Sequence, residues 1–404
     1  SPPTDVYDQH VGPGMVLDGQ SGQHRLECRR LVVHHNQGQH RSRRRPGALS
    51  AVSGTLSATG RRGCGIHGAA ETTSEPPIRP DGLLLLRCPG GRSPNAPFLG
   101  DRPVKALVTG AAGFVGRHLV DHLTAEGDDV ATTDRSEGGA DLLDADGLDR
   151  EIADTAPEIV YHLAGQADVG SSWADAARTL RTNAEGTLNV LDSARRHHVR
   201  RVVTVSSADL YGIVTPDDLP VSEDAPLRPV SPYGASKAAA DLIALQASLG
   251  HHQDVVRARS FNHLGPGQSD RFVCSALASR IAANELAGRD VVAVGNLDAR
   301  RDFTDVRDVV RAYRCLAMDA VAGAAYNVCT GHSSAVSDIA DRLLSMADRP
   351  MRLVEDPALH RPTDVPELRG DPTRLRRDTG WIPEITLDLT LADLLDDWRR
   401  RLRE

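Results

Sequence analysis

A short apolar strand that runs straight into glycines spaced G-x-x-G-x-x-G narrows the fold more than any other feature of this chain. Val104-Lys105-Ala106-Leu107-Val108 leads into Thr109-Gly110-Ala111-Ala112-Gly113-Phe114-Val115-Gly116, and an amphipathic stretch (116–126) follows. In such a strand–turn–helix unit the first glycine makes the tight turn. The second lets backbone approach a pyrophosphate, and the third lets helix pack on strand. The helix N-terminus adds free N–H groups and a partial positive charge. Gly110, Gly113, Phe114, Val115 and Gly116 are therefore expected to hold a dinucleotide. A second strand-like run, 128–134, ends in Asp134, 18 residues after Gly116, where an acid can bind both ribose hydroxyls of NAD. Arg135 follows directly and can accept the 2′-phosphate of NADP, so these residues admit NAD(H) or NADP(H).

From residue 103 onward the same alternation repeats. Further strand-like runs cover 158–165, 199–207, 254–261 and 324–331, and helical patterns cover 184–197 and 236–248. Strands that are apolar throughout and joined by helices mean a parallel sheet buried on both faces. The expected fold is α/β, a Rossmann-type doubly wound parallel sheet with a smaller C-terminal substrate-binding lobe. The NAD(P)-binding lobe is expected at 103–263 with 301–331, and the substrate lobe at 264–300 with 332–404. In this frame Asp141 and Leu142 lie beside the adenine. Leu163, Ala164 and Gly165 close the third strand, where backbone borders the nicotinamide ribose, and Gln166 follows toward the substrate.

Residues 1–102 are of different material. They are rich in Gly, Pro, Ser, Arg and His, show no periodicity, and include the basic run Arg41-Ser42-Arg43-Arg44-Arg45. With Ser1 rather than Met at its start, the segment reads as a disordered tail or a non-native extension. The formal charge of −8 over 404 residues argues against a general nucleic-acid binder, which needs a basic surface. Six cysteines at 28, 64, 88, 274, 315 and 329 form no CxxC pair, so no metal site is expected and free thiols in a reducing cytoplasm are. No apolar run approaches the roughly 18 residues of a membrane span and no signal peptide is read, so the expected location is cytoplasmic, without a membrane partner.

Chemistry enters with Tyr233-Gly234-Ala235-Ser236-Lys237, where Tyr and Lys share one helical face. An ammonium beside a phenol favours the phenolate, so the tyrosine can exchange protons near neutral pH. Ser207 closes a strand upstream, in Val205-Ser206-Ser207-Ala208-Asp209-Leu210-Tyr211-Gly212. Further on, Arg301 and Arg361 are candidates for a diphosphate clamp, since guanidinium forks match phosphate oxygens. Asn262, just past a strand end, can hold a phosphate or the sugar, and Asp364 can accept from the nucleoside ribose.

Together, TGAAGFVG, HLAGQ, VSSADLYG and YGASK resemble the extended short-chain dehydrogenase/reductase family, specifically its nucleotide-sugar branch, over about residues 104–404. The resemblance implies a triad of Ser207, Tyr233 and Lys237. Tyr233 would exchange the proton on the sugar 4-oxygen, Ser207 would hydrogen-bond that oxygen, and Lys237 would lower the tyrosine pKa and hold the nicotinamide ribose. The 4,6-dehydratases of this branch also use acid/base side chains in the two positions after the Ser/Thr. Here those positions are Ala208, which cannot move a proton, and Asp209, shorter than the usual glutamate, so reduction at C4 is better served than elimination. FNHLGPGQ, GNLDARRDFTDVRD and RPTDVPELRGD resemble the GDP-mannose group, and within it the ketone reductases. The implied reaction passes hydride from NAD(P)H to the C4 ketone of GDP-4-keto-6-deoxy-D-mannose and yields GDP-D-rhamnose. The implied partners are this GDP-sugar, held by Gln166, Asp209, Asn262, Arg301, Arg361 and Asp364, and a second copy of the chain. That homodimer would pair the helices of 184–197 and 236–248. The alternatives are a GDP-mannose 4,6-dehydratase, another nucleotide-sugar 4-epimerase or dehydratase, and a non-catalytic NAD(H)-sensing protein, which commonly lacks the Tyr or Lys retained here.

Overall fold

The computed structural model describes residues 103–359 and 365–404. The run Arg41–Arg45, the rest of 1–102, and both Arg361 and Asp364 lie outside the described residues. Along the described chain the strands are β1 (Lys105–Thr109), β2 (Asp129–Thr133), β3 (Ile159–His162), β4 (Arg201–Ser207), β5 (Val255–Ser260) and β6 (Asn262–Leu264). They continue with β7 (Val291–Val294), β8 (Arg300–Asp305), β9 (Ala325–Val328), β10 (Ser333–Ala335), β11 (Arg352–Glu355) and β12 (Glu367–Leu368). The helices begin with α1 (Phe114–Ala125), α2 (Ala145–Thr155), α3 (Val169–Ser172), α4 (Ala176–Leu180), α5 (Gly186–Arg196) and α6 (Pro232–His251). The later helices are α7 (Val273–Ala287), α8 (Val306–Asp319), α9 (Val336–Ser345), α10 (Thr373–Thr379) and α11 (Leu387–Arg401).

Six strands form one parallel sheet in the order β2-β1-β3-β4-β5-β9. All residues of β3, β5 and β9 are buried, as strands covered by helices on both faces must be. The first crossover, through α1, leads from β1 to β2 on one side, and β3 returns to the other side of β1. That reversal opens a crevice beyond the carboxyl ends of the strands. Gly116, Leu119 and Leu123 form the buried stripe of α1, at the spacing that puts them on one helical face.

The catalytic-motif helix α6 begins four residues before the start expected from periodicity. Ser231 caps it, its hydroxyl accepting from Gly234 N at 3.0 Å, and Pro232 takes the first helical position, where its missing N–H costs nothing. Tyr233 consequently sits in the first turn, at the open end of the sheet.

A smaller sheet has β8 at its centre, with β10 antiparallel on one side, β12 parallel on the other, and β6 alongside. The pair β7–β11 and helices α7, α9 and α11 surround a separate core that includes Leu277, Ile281, Val292, Ile339, Leu343, Leu391 and Leu394. β8, expected with the cofactor-binding lobe, hydrogen-bonds into this smaller sheet instead. Its sequence RRDFTD lacks the unbroken apolar character that a central strand of the six-stranded sheet requires.

Candidate active site

A cleft of about 1430 Å³ opens at the strand reversal and runs from the glycine loop to the smaller sheet. At its cofactor end the backbone is bare because side chains cannot fit. Gly110 has φ +74°, and a Cβ there would stand 2.7 Å from Ala164 N. A Cβ on Gly116 would run into Gly110 O and Ala111, and one on Gly113 would come within 3.1 Å of Gly110 O. Phe114 begins α1 and stacks on His263, ring centroids 6.2 Å apart, while Val115 packs against the main core.

Asp134 follows β2 and faces the loop. One carboxylate oxygen accepts from Ser136 N at 2.9 Å and Ser136 Oγ at 2.7 Å, and the other accepts from Ala112 N at 3.3 Å. Partial burial works to raise its pKa, but these hydrogen bonds outweigh it and hold the carboxyl below its ordinary value. Arg135 is exposed and pairs with Asp141 at 3.1 Å. Leu142 is buried where Gly186 leaves room for it, and its carbonyl accepts from Asn189 at 2.8 Å. A glycine cradle at a helix N-terminus, a carboxylate at the next strand end and a neighbouring guanidinium are a donor and acceptor set that fits a nicotinamide dinucleotide.

Leu163, Ala164, Gly165 and Gln166 turn beneath the middle of the cleft. Asn183 grips this turn, accepting from Gln166 N at 2.8 Å and donating to Gln166 O at 3.0 Å. The Gln166 side chain donates to Asp168 O and Ser171 Oγ, both at 2.6 Å. Asn183 was not foreseen: it lies in a π-helical turn, Arg181–Glu185, whose wide spacing a 3.6-residue periodicity does not register.

Ser207, at the end of β4, and Tyr233 and Lys237, one helical turn apart on α6, converge on the same cleft. Tyr233 hydrogen-bonds Ser207, and Lys237 Nζ donates to Val205 O at 3.0 Å. Burial brings the Lys237 ammonium down from 10.5 to about 8. Burial first, then the charge of Asp209, push the Tyr233 phenol up against the opposing Ser207 hydrogen bond. The ammonium is turned toward a backbone carbonyl, and burial keeps the Tyr233 phenol protonated at neutral pH. After Ser207, Ala208 is buried and Asp209 donates its backbone N–H to Ser207 Oγ at 3.2 Å.

At the far end the cleft is lined by Asn262, exposed at the start of β6, and by Arg301. Arg301 donates to Val365 O at 2.6 Å, at the edge of the segment holding Arg361 and Asp364. A second guanidinium, Arg280 of α7, lines the same space and donates to Ala293 O at 2.7 Å. Sequence reasoning passed over Arg280, since nothing in a helical pattern separates a cleft-facing arginine from a solvated one.

Residues 106–329 match the model of the NAD dependent epimerase/dehydratase family. GDP-6-deoxy-D-mannose reductase of Pseudomonas aeruginosa is 39% identical over 308 residues, covering 74% of this chain and 99% of that protein. UDP-glucose 4-epimerase of Mycolicibacterium smegmatis is 32% identical over 319 residues, again 74% and 99%. Among solved structures, that of RMD from Pseudomonas aeruginosa complexed with NADPH matches with a TM-score of 0.68 at 36% identity, over 74% of this chain and 98% of that one. The chain belongs to the NAD dependent epimerase/dehydratase family.

Proposed function

We propose that this protein reduces the C4 ketone of GDP-4-keto-6-deoxy-D-mannose to GDP-D-rhamnose with NADPH or NADH. The observation that carries the reading is the convergence of Ser207, Tyr233 and Lys237 on one cleft, with the methyl of Ala208 where a dehydratase would place an acid. The likeness to a GDP-6-deoxy-D-mannose reductase supports the same substrate. The nicotinamide, when bound, supplies the hydride. Ser207 holds the 4-oxygen by a hydrogen bond, and Tyr233 gives its proton to that oxygen as charge develops on it. Lys237, close under Gly165, holds the nicotinamide ribose, with Leu163, Ala164 and Gly165 forming its bed. Asp134 takes the adenosine ribose, Arg135 a 2′-phosphate, and Asp141 and Leu142 the adenine. Arg301 and Arg280, with Arg361, hold the diphosphate, Asp364 the nucleoside ribose, and Gln166, Asp209 and Asn262 the sugar. The smaller sheet and its helices form the substrate side of the cleft. A homodimer is supported by exposed Leu188 on α5 and Leu242 and Leu249 on α6. No helix of the described residues is long and apolar enough to cross a membrane.

The test incubates the full chain with the 4-keto sugar nucleotide and NADPH or NADH, following nicotinamide absorbance and identifying the sugar. Stoichiometric oxidation with formation of GDP-D-rhamnose is expected. No oxidation, with GDP-mannose converted to the keto sugar in a parallel tube, would replace this reading by a dehydratase working through Asp209. Arg135→Ala is expected to lower kcat/KM for NADPH about 10- to 100-fold, the worth of one charge-assisted contact, and to change NADH by less than about threefold. Equal losses with both cofactors would take Arg135 away from the 2′-phosphate.

A further inference from the structure

Below the cleft floor, His162 is buried and takes no part in the chemistry described above. It ends β3, opposite Thr109 of β1 in the ladder. Its Nδ1 lies 2.9 Å from Thr109 Oγ1, and its Nε2 lies 3.1 Å from Thr187 Oγ1 on α5. The direction of each bond follows from what the end groups can do. The carbonyl of Asn183 only accepts, so the Thr187 hydroxyl donates to it, at 2.6 Å. The Thr187 oxygen then receives the Nε2–H of His162. Nδ1 is left with a lone pair and accepts the Thr109 hydroxyl proton, and the Thr109 oxygen accepts from Ala164 N at 3.2 Å. Burial brings the imidazole pKa down to about 3, so the ring is neutral and the chain keeps one direction throughout the working pH range.

Both ends of this chain act on the same turn. One end holds Ala164 N. The other reaches Asn183, whose side chain clasps Gln166 from both sides and also donates to Ser236 Oγ at 2.8 Å. Ser236 in turn donates to Tyr233 O at 2.7 Å. A Cβ on Gly165 would stand 2.8 Å from Asn183 Oδ1, so the turn passes close against Asn183.

We propose that His162 is a positioning residue. Through Thr109 and Thr187 it orients turn 163–166, the bed of the nicotinamide ribose, and through Asn183 and Ser236 it orients the helical turn that carries Tyr233. A fully hydrogen-bonded neutral imidazole suits this task because it donates on one side and accepts on the other in a rigid plane. The inference rests on the proposed placement of the nicotinamide, and its test needs no sugar.

The full chain would be titrated with NADPH, reading the dissociation constant from nicotinamide fluorescence, with thermal unfolding as the control for folding. His162→Leu removes donor and acceptor together and is expected to weaken NADPH binding about tenfold. His162→Gln keeps one donor and one acceptor and is expected to stay within about threefold of the parent. Thr187→Val, which cuts only the Asn183 arm, is expected to weaken binding about three- to tenfold, and it decides the matter if the leucine variant does not fold. A folded His162→Leu or Thr187→Val protein that binds NADPH like the parent would overturn the proposal. So would a glutamine variant as weak as the leucine one, because plain packing would then account for both. A parent that binds NADPH but leaves the keto sugar untouched would end the substrate proposal and leave this result standing.

Discussion

Phenylalanine in place of Tyr233 is expected to cut kcat about a thousandfold and to leave NADPH binding within about threefold of the parent. The ring stays and its packing with it, so the change is confined to one hydroxyl. That hydroxyl is bonded to Ser207 and kept protonated by burial and by the charge of Asp209, the state a residue needs in order to hand a proton to a developing alkoxide. Steady-state rates with the keto sugar, set beside a direct NADPH titration, separate the chemical step from binding. A loss below about tenfold would move the proton source to Asp209 or to water. The raised phenol also means that Tyr233 adds no ionisation to the rate profile near neutrality. The basic limb of kcat/KM is expected to report Lys237, with activity falling as pH rises through about 8.

The second large effect runs in opposite directions for activity and stability. Lys237→Met is expected to abolish most turnover and yet to give a more stable protein at pH 7. In the folded chain the ammonium titrates near 8, against 10.5 for the free side chain. Between those values the unfolded chain binds more protons than the folded one, so stability rises with pH across that window and is lowest below it. The shift corresponds to about 3 kcal/mol of destabilisation at pH 7, set against about 1 kcal/mol for the lost hydrogen bond to Val205 O. A net gain of about 2 kcal/mol raises the melting temperature by a few degrees. The gap between variant and parent should close as pH is raised toward 10. A methionine variant that melts lower at pH 7, or a gap independent of pH, would show that the ammonium is better solvated than its burial indicates.

Much of this arrangement was legible in the sequence because backbone geometry leaves so few choices. Gly110 and Gly116 must be glycine where a Cβ would meet Ala164 or Gly110 O, and such demands appear directly as residue identity. The spacing of Tyr233 and Lys237 likewise follows from the helix itself. The unread parts depend on tertiary detail. The start of α6 was set by the Ser231 cap and Pro232 rather than by apolar spacing. The partner of Lys237 turned on where a flexible four-carbon stem points, and it points at Val205 O. Asn183 sits in a turn of irregular pitch, and β8 took its sheet from its partners rather than from its own pattern.

Asp134 and Arg135 also bear on how long a dinucleotide stays. Each has a local substitute for the ligand it would grip: Asp134 has Ser136 and Ala112, and Arg135 has Asp141. Departure of the ribose or of a 2′-phosphate is therefore expected to strand no charge, and that penalty is not expected to prolong the residence time of the nucleotide. A reductase consumes one nicotinamide per product and must refill its site each cycle, so this ready fallback favours rapid exchange over permanent retention.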